Sequence, residues 1–232
     1  RVLFRSPIVS SSRAARLICE KWSANYGYLP DAIVVEGPKA GGHLGFKNEQ
    51  IEDEHYSLEH LIPEVVEVAR SYAGRKGIPV IAAGGIATGE DIARFMALGA
   101  SAVQMGSIFV PTEECDASVK FKQVYLNAHR EDIRIIQSPV GMPGRAFDGE
   151  FIRKVAEGKE KPRSCPFHCI KTCDYTKSPY CIIKALYNAA RGNMKKGYAF
   201  AGGNAYLSDR IRSVKEVIEK LKADFFLSKA LL

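Results

Sequence analysis

The feature that most constrains the fold is a set of four short apolar runs, each followed by a pattern typical of an amphipathic helix. The runs occupy residues 7–9, 32–35, 79–83 and 102–105. The helical patterns occupy residues 12–26, 58–73, 90–98 and 117–129. Uninterrupted apolar runs predict parallel strands buried on both faces, and the helices between them predict the α/β class. A barrel and a doubly wound sheet both remain open at this point.

The second part of the chain has a different character. Beyond about Arg134 the sequence is rich in Gly and Pro, then charged, and then rich in cysteine. The last helical pattern, 208–221, carries apolar residues at helical spacing and predicts a helix that docks on the first part. We therefore predict two domains, 1–133 and 134–232, the second an appended lobe of helices and loops.

Composition and charge exclude several classes of protein. The 232-residue chain has 46% hydrophobic and 25% charged residues, as globular proteins do. It lacks both a secretory signal and an apolar run of the roughly 18 residues that span a bilayer, so we expect a cytoplasmic protein without a membrane partner. The net charge of +7 comes from basic residues interleaved with acidic ones, which predicts no nucleic-acid partner. Because strand-like sequence follows Arg1 almost at once, we also expect the chain to be part of a longer protein.

A glycine-rich loop with one histidine follows the second predicted strand. Residues 36–45 read Glu-Gly-Pro-Lys-Ala-Gly-Gly-His-Leu-Gly, and the histidine is His43. In parallel α/β folds the ligand lies at the carboxyl ends of the strands, where glycines let the backbone approach a flat ring or a phosphate. The loop is therefore a candidate active site. The alternative is a tight turn whose histidine is merely solvated, and a Gly-Gly-His sequence taken by itself favours this alternative.

The next two predicted strand ends indicate an anion site. Gly84 and Gly85 form a turn that leads into a helix, with Thr88 as a candidate cap. Free amides and the positive end of a helix dipole favour a phosphate there. The following strand ends in Gln104-Met105-Gly106-Ser107, so two neighbouring strand ends can hold one phosphate. The alternative is that these glycines only form turns.

Together these segments resemble the nitronate monooxygenase family, formerly called 2-nitropropane dioxygenase. The resemblance rests on three motifs in order, 34–43, 78–86 and 103–109, and with the connecting helices it covers about residues 6–130. It implies a partial (β/α)8 TIM barrel built from the equivalents of strands five to eight, with FMN over the strand ends and His43 as the catalytic base. It also implies FMN contacts from Gly41, Gly42, Gly84, Gly85, Gln104, Met105, Gly106 and Ser107.

The chain departs from the family pattern at three points. Ser107 replaces the more usual threonine but keeps a hydroxyl, and Lys39 stands where an acidic or small residue is common. No segment matches the first four strands of the family. Because a half barrel exposes two sheet edges and much apolar surface, we expect this chain alone to bind FMN weakly or not at all.

The resemblance implies a flavoprotein oxidoreductase, a monooxygenase that oxidises alkyl nitronates with molecular oxygen. Its partners would be a small nitronate and oxygen, and a homo-oligomer is left open. The alternative within the fold is a flavin-type enoyl-acyl-carrier-protein reductase that uses NAD(P)H. The alternative in another class is a metal-binding or regulatory protein built on an inactive barrel.

Four of the six cysteines crowd into one short segment, as Cys165, Cys169, Cys173 and Cys181. If this segment were helical, the first three would line one face. Four thiolates so close in sequence suit a tetrahedral Zn ion or an iron–sulfur cluster in a reducing compartment, with His168 as a spare ligand. Reduced structural thiols and a disulfide are the alternatives.

A few polar residues outside these motifs are not assigned functional roles. His55, His60 and His129 stand alone on polar or helical sequence and are expected to be solvated. Arg134 and Arg145 could reach an anionic substrate, but both are expected at the surface. The loop 200–205 contains two glycines, so a return of this loop towards the flavin stays open.

Overall fold

The computed structural model describes residues 5–73, 77–169, 171 and 173–230. Within these residues the chain forms two compact units. The first unit contains the residues up to Ala40, Gly45–Gly106, and those from Lys215 onwards. The second unit contains Gly41–Leu44 and Ser107–Val214.

Strands and helices alternate through the first unit, and a second, separate sheet follows. The strands are β1 Ile8–Val9, β2 Ile33–Glu36, β3 Gly42–His43, β4 Val80–Ala83, β5 Ala102–Gln104, β6 Ile133–Gln137 and β7 Pro143–Phe147. The α-helices are α1 Ser12–Tyr26, α2 Asn48–Ile51, α3 Leu58–Ala73, α4 Gly89–Ala97, α5 Val119–Leu126, α6 Glu150–Ala156, α7 Ile182–Ala190 and α8 Val214–Lys229. No helix in the described part of the chain is long and apolar enough to cross a membrane.

A four-stranded parallel sheet forms the centre of the first unit. Its strand order is β1-β2-β4-β5, and each neighbouring pair is parallel. The predicted α/β class with a parallel sheet is thereby confirmed. The prediction of burial on both faces holds for the two inner strands, because adjacent residues are buried in each: Ile33 and Val34 in β2, and Ala82 and Ala83 in β4. It is wrong for β5, where Ala102 and Gln104 are exposed because this strand lies at the edge of the sheet.

Local capping explains why the predicted helices lie where they do. Helix α1 has the predicted bounds: the Ser11 hydroxyl accepts a hydrogen bond from the Ala14 amide, and Gly27 ends the helix with a left-handed φ of 66°. Helix α3 also has its predicted bounds. Helix α5 is shorter than predicted, because Ser118 caps its start at Val119 and the helix ends at Leu126, with Asn127 as its C-cap.

The C-terminal helix α8 packs against the start of α4, as expected of a docking helix. A Cβ atom added at Gly89 would overlap Leu221 O and Phe225 N of α8 and would lie 2.6 Å from the Cβ of Asp224. The helix begins at Val214 rather than at the predicted Ser208. The reason is that Arg212 forms a parallel bridge with Thr112, and the Glu114 carboxylate accepts the hydrogen bond of the Val214 amide.

We expect Gly89→Ala to destabilise the first unit. The added methyl group would meet α8 backbone, which cannot move without shifting the helix, so the cost should be about 1–3 kcal/mol in the free energy of unfolding. Urea denaturation followed by circular dichroism measures it. Gly149→Ser is the control, because a Cβ at Gly149 meets nothing within 4 Å. Equal stability of the two variants would contradict the close packing of α4 on α8.

The second unit contains an antiparallel sheet with the order β3-β7-β6. Its aromatic core is formed by Phe151, Tyr180 and Tyr198, packed with Ile136, Ala146 and Ala185. The predicted boundary at 133/134 therefore differs from the compact units. The division falls at Gly106/Ser107 instead, because β6 and β7 pair with each other and Tyr125 of α5 packs edge-on against Phe147 of β7.

Candidate functional site

His43 lies on a two-residue strand, β3, and is held by two side chains of the second unit. The Ser138 hydroxyl lies 2.7 Å from Nε2 of His43. The Phe200 ring contacts the imidazole edge-on, with 5.1 Å between ring centroids. The imidazole is half-buried, and this desolvation lowers the pKa of His43 below its ordinary value of 6.5. His43 is thus an oriented, neutral imidazole rather than a freely solvated one.

The two glycines before His43 are needed for different reasons. Gly42 has a φ of +83°, which side chains other than glycine rarely adopt. A Cβ atom at Gly41 would lie 2.7 Å from Gly202 N and 2.8 Å from the Ala201 carbonyl carbon. The glycines therefore allow β3 to pair with β7 while the loop that contains Gly202 packs directly against it.

The loop that follows Tyr198 contributes to the same site. Its Phe200 lies against His43, and the Gly202 amide donates a 3.0 Å hydrogen bond to the Ser107 hydroxyl. Sequence reasoning left this loop open on the strength of its glycines, and the structure places it beside Gly41 and His43. Because the Ser107 hydroxyl accepts from Gly202, its own proton is available to donate to a ligand oxygen.

Ser138 connects His43 to buried tyrosines, and sequence reasoning missed it. Ser138 is buried just after β6, and its hydroxyl interacts with the Tyr180 side chain as well as with His43. The Tyr180 hydroxyl donates to that of Tyr198 at 3.2 Å. Burial raises the pKa of Tyr180, which keeps its hydroxyl protonated. The sequence signal for a turn at Ser138 was only the Gly- and Pro-rich composition of residues 137–145.

Arg145 is buried, so the expected surface position was wrong. It lies on β7 opposite Gly42, and it is only 9% exposed. β7 is the central strand of its sheet, so its side chains have neighbours on both sides. Arg134 is exposed as expected, and its Nε lies 3.3 Å from the Asp148 carboxylate.

The carboxyl ends of β4 and β5 lie side by side in the first unit. Ala83 pairs with Gln104, so Gly84 and Met105 follow neighbouring strand ends. Gly84 and Gly85 both have positive φ, at 102° and 75°. A Cβ at Gly106 would meet nothing within 4 Å, which leaves open space beside its backbone. The backbone of Gly106 therefore leaves room for a phosphate, whereas the Cβ positions of Gly84 and Gly85 are filled by Ala40 and Lys39.

The start of α4 does not provide the predicted helix-dipole cradle. Thr88 is the N-cap as predicted, but it forms a capping box with Asp91. The Asp91 carboxylate accepts from the Ala87 and Thr88 amides at 2.9 and 3.1 Å, so these donors are already used. Its negative charge also repels an anion. The Thr88-x-x-Asp91 spacing could have shown this from the sequence.

Two charged residues flank the strand ends of the first unit. Glu36 ends β2 beside Ala83, and burial raises the pKa of its carboxyl group. Lys39 lies along Gly85, since a Cβ added there would be 2.8 Å from the Lys39 Cβ. A cation beside Gly85 favours a bound anion.

The predicted site residues therefore fall into two groups, each within its own unit. Gly41, Gly42, His43 and Ser107 belong to the second unit, where the loop 200–202 joins them. Gly84, Gly85, Gln104, Met105 and Gly106 belong to the first unit, at the paired ends of β4 and β5. His55, His60 and His129 are exposed as expected.

In its described residues, the cysteine segment shows no arrangement that fits the predicted metal centre. The predicted helical face is absent, because the described residues between α6 and α7 form turns and bends. Cys165, Cys169, Cys173 and Cys181 are free thiols, and Cys169 and Cys173 are exposed. Among the described residues no group of three or more His, Cys, Asp or Glu side chains is arranged to hold a metal ion. The expectation of Zn or an iron–sulfur cluster is therefore not supported.

Comparison with known proteins extends the resemblance over nearly the whole chain. A probable nitronate monooxygenase of Staphylococcus aureus strain Newman is 33% identical over 191 residues, which cover 82% of this chain and 52% of that protein. The structure of FabK from Thermotoga maritima is similar with a TM-score of 0.72 and 30% identity, over 97% of this chain and 62% of that one. Nitroalkane oxidase from Streptomyces ansochromogenes shares the fold with a TM-score of 0.70 at 24% identity, over 98% of this chain and 59% of that one.

These alignments also show a difference in length, because this chain spans about half of the Staphylococcus aureus relative. The model of the nitronate monooxygenase family nevertheless matches residues 2–224, which include both units. The family pattern thus extends well past residue 130, where the motifs recognised in the sequence end. The chain belongs to the nitronate monooxygenase family.

Proposed function

We propose that the protein of which this chain forms the whole or a part is an FMN-dependent oxidoreductase that oxidises alkyl nitronates with molecular oxygen. The observation that carries the proposal is His43, a neutral imidazole fixed by Ser138 and Phe200 on a glycine-flanked strand. Family membership supports the same activity. The proposed architecture is the second half of a flavin-binding (β/α)8 barrel with the cysteine-containing lobe appended.

FMN fits the residues present at the strand ends. Gly84, Gly85 and Gly106 would hold its phosphate through their backbone, with Lys39 supplying positive charge. The family pattern adds contacts from Gly41, Gly42, Gln104, Met105 and Ser107. When bound, the flavin supplies the redox chemistry, and the protein binds and orients it.

The chemical role of the chain in this proposal is proton transfer at His43. In the tautomer in which Nε2–H donates to the Ser138 hydroxyl, Nδ1 is the nitrogen that would accept a proton from the carbon next to a nitro group or orient a nitronate. Phe200 covers one edge of the ring and limits the access of water. Because the ring orientation is fixed, less entropy is lost when His43 and the substrate reach the geometry of proton transfer.

The pH dependence of the reaction should reflect the burial of His43. The pKa of His43 is lowered, so the ring gives up its proton at a lower pH than a free imidazole does and acts as a base already below pH 6.5. We expect kcat/KM to rise with pH through a midpoint below 6.5, as measured by oxygen uptake across a pH series. A midpoint above 6.5 would show that His43 is not the base or is not desolvated.

Two assays separate the proposed activity from its rival. Oxygen uptake with propionate 3-nitronate tests nitronate oxidation, and NAD(P)H oxidation with a crotonyl thioester tests enoyl reduction. The proposal predicts uptake of oxygen without any need for NAD(P)H. Thioester-dependent oxidation of NAD(P)H without nitronate turnover would favour the enoyl reductase. Tight metal binding without flavin would favour the metal-binding or regulatory alternative.

We further predict that the 232-residue chain by itself retains little FMN. The parallel sheet that carries the strand ends has only four strands in the described residues, with β5 exposed at one edge. A visible spectrum of the purified chain measures bound flavin against protein. Stoichiometric yellow flavin in this chain would refute the prediction and would show that these strands form a sufficient pocket.

A further inference from the structure

Four thiols outside the candidate site converge on one hollow of the second unit. Cys165, Cys169, Cys173 and Cys181 all line it, and we call them the thiol cluster. The remaining wall includes Pro139, Val140, Tyr175 and Tyr180. Because the four cysteines come from four points of a turn-rich segment, their common hollow results from folding and not from a single helical face.

The thiols of the cluster are both accessible and close to one another. Cys169 and Cys173 are exposed, and Cys165 and Cys181 are half-buried. Cys173 shares its hollow with Cys165, Cys169 and Cys181, and desolvation raises the pKa of the Cys173 thiol. The two cysteines outside the cluster differ from it, since Cys19 is fully buried in the first unit and Cys115 stands apart in sequence.

The segment that carries the cluster can change shape at little cost. Between α6 and α7 its described residues form turns and bends without a strand or helix, and most of them are exposed. Among the described residues, movement of Cys165, Cys169 or Cys173 would break no sheet or helix hydrogen bond, whereas the Cys181 carbonyl accepts a hydrogen bond from the Ala185 amide at the start of α7. Close thiols on an irregular, exposed segment meet the two conditions for disulfide formation, proximity and freedom to reach the required geometry.

We propose that the thiol cluster is a reversible oxidation site at which a hydroperoxide converts Cys173 and a neighbouring cluster thiol into a disulfide. In the first step the sulfur of the neighbouring thiol attacks a peroxide oxygen, the O–O bond breaks, and a sulfenic acid and an alcohol or water form. In the second step the thiol of Cys173 attacks that sulfur, an S–S bond forms and water leaves. Two thiols lose two electrons and two protons in total, and the peroxide takes up both.

The experiment counts thiols before and after oxidation of the purified protein. The reduced, denatured protein has six cysteines to titrate. After mild treatment with hydrogen peroxide we expect about four, and a dithiol reductant should restore the rest. Non-reducing peptide mapping should find the disulfide between Cys173 and another residue of the thiol cluster. Metal analysis of the same sample accompanies the titration.

Two substitutions make the assignment specific. Cys173→Ser should abolish the rapid loss of two thiols, whereas Cys115→Ser should leave that loss unchanged. Thiols that resist peroxide, a disulfide that includes Cys19 or Cys115, or oxidation that the reductant does not reverse would each overturn the proposal. Bound metal that protects the cluster from peroxide would also overturn it. Peptide mapping of the parent protein decides the matter even if Cys173→Ser does not fold.

Discussion

Replacement of His43 by alanine should lower turnover at least about 100-fold, the range expected for loss of a general base. The variant removes the imidazole that contacts both Ser138 and Phe200. Oxygen uptake by the intact protein with 3-nitropropionate, which still carries the proton next to its nitro group, measures the effect under saturating FMN. FMN affinity should stay within a few fold of the parent, because the proposed phosphate contacts are backbone groups of other residues.

His60→Ala is the matched control for this experiment. His60 is exposed, and its Nδ1 lies 2.8 Å from the Ser57 hydroxyl, so it is a hydrogen-bonded histidine without a proposed role. Its replacement should change turnover less than twofold or so. Full activity of His43→Ala would remove the catalytic assignment. A parallel loss of FMN would instead assign His43 to cofactor binding.

In the intact protein, Gly84→Ala should weaken FMN binding roughly tenfold, because displacement of the turn would cost about 1.4 kcal/mol of phosphate contact, which is tenfold in affinity. Gly84 has a φ of +102°, and an added Cβ would lie 2.9 Å from Ala40 N and 3.0 Å from Gly37 O. The turn after β4 must then shift, and the amide of Gly85 shifts with it. Fluorescence titration of FMN measures the dissociation constant.

Gly27→Ala is the control, because it introduces backbone strain away from the proposed phosphate site. Gly27 also has positive φ, at 66°, but its Cβ position is open and it only ends α1. This variant should lose some stability and keep its affinity for FMN. Circular dichroism at the titration temperature shows whether each variant is folded. Unchanged FMN affinity in folded Gly84→Ala would place the phosphate elsewhere.

The sequence predicted the first unit well because its signals are local. Helices α1 and α3 follow from hydrophobic periodicity, and Ser11 and Gly27 mark the bounds of α1 within a few residues of the helix itself. The four parallel strands could be predicted for a similar reason, since each is a short apolar run. Solvent exposure of β5 could not, because it depends on which neighbours the sheet has.

The site around His43 could be predicted only in part. The Ala-Gly-Gly-His motif drew attention to His43, but Ser138 and Phe200 come from segments about 100 and 150 residues away, and no local pattern reports such pairing. Arg145 shows the same difficulty: a charged residue is expected at the surface, and only the central place of β7 buries it. By contrast, the capping box at Thr88 could be predicted from the sequence, because it depends on local spacing. This capping box argues against an anion at the start of α4.

The pairing of β3 with β7 also affects when His43 becomes oriented during protein synthesis. Gly42 pairs with Arg145, so roughly a hundred residues must emerge from the ribosome before His43 gains its strand partner, a separation typical of slowly formed contacts. Until then the nascent chain carries its histidine without the strand that orients it. Proton-transfer ability would therefore arise late, after the parallel strands have been made.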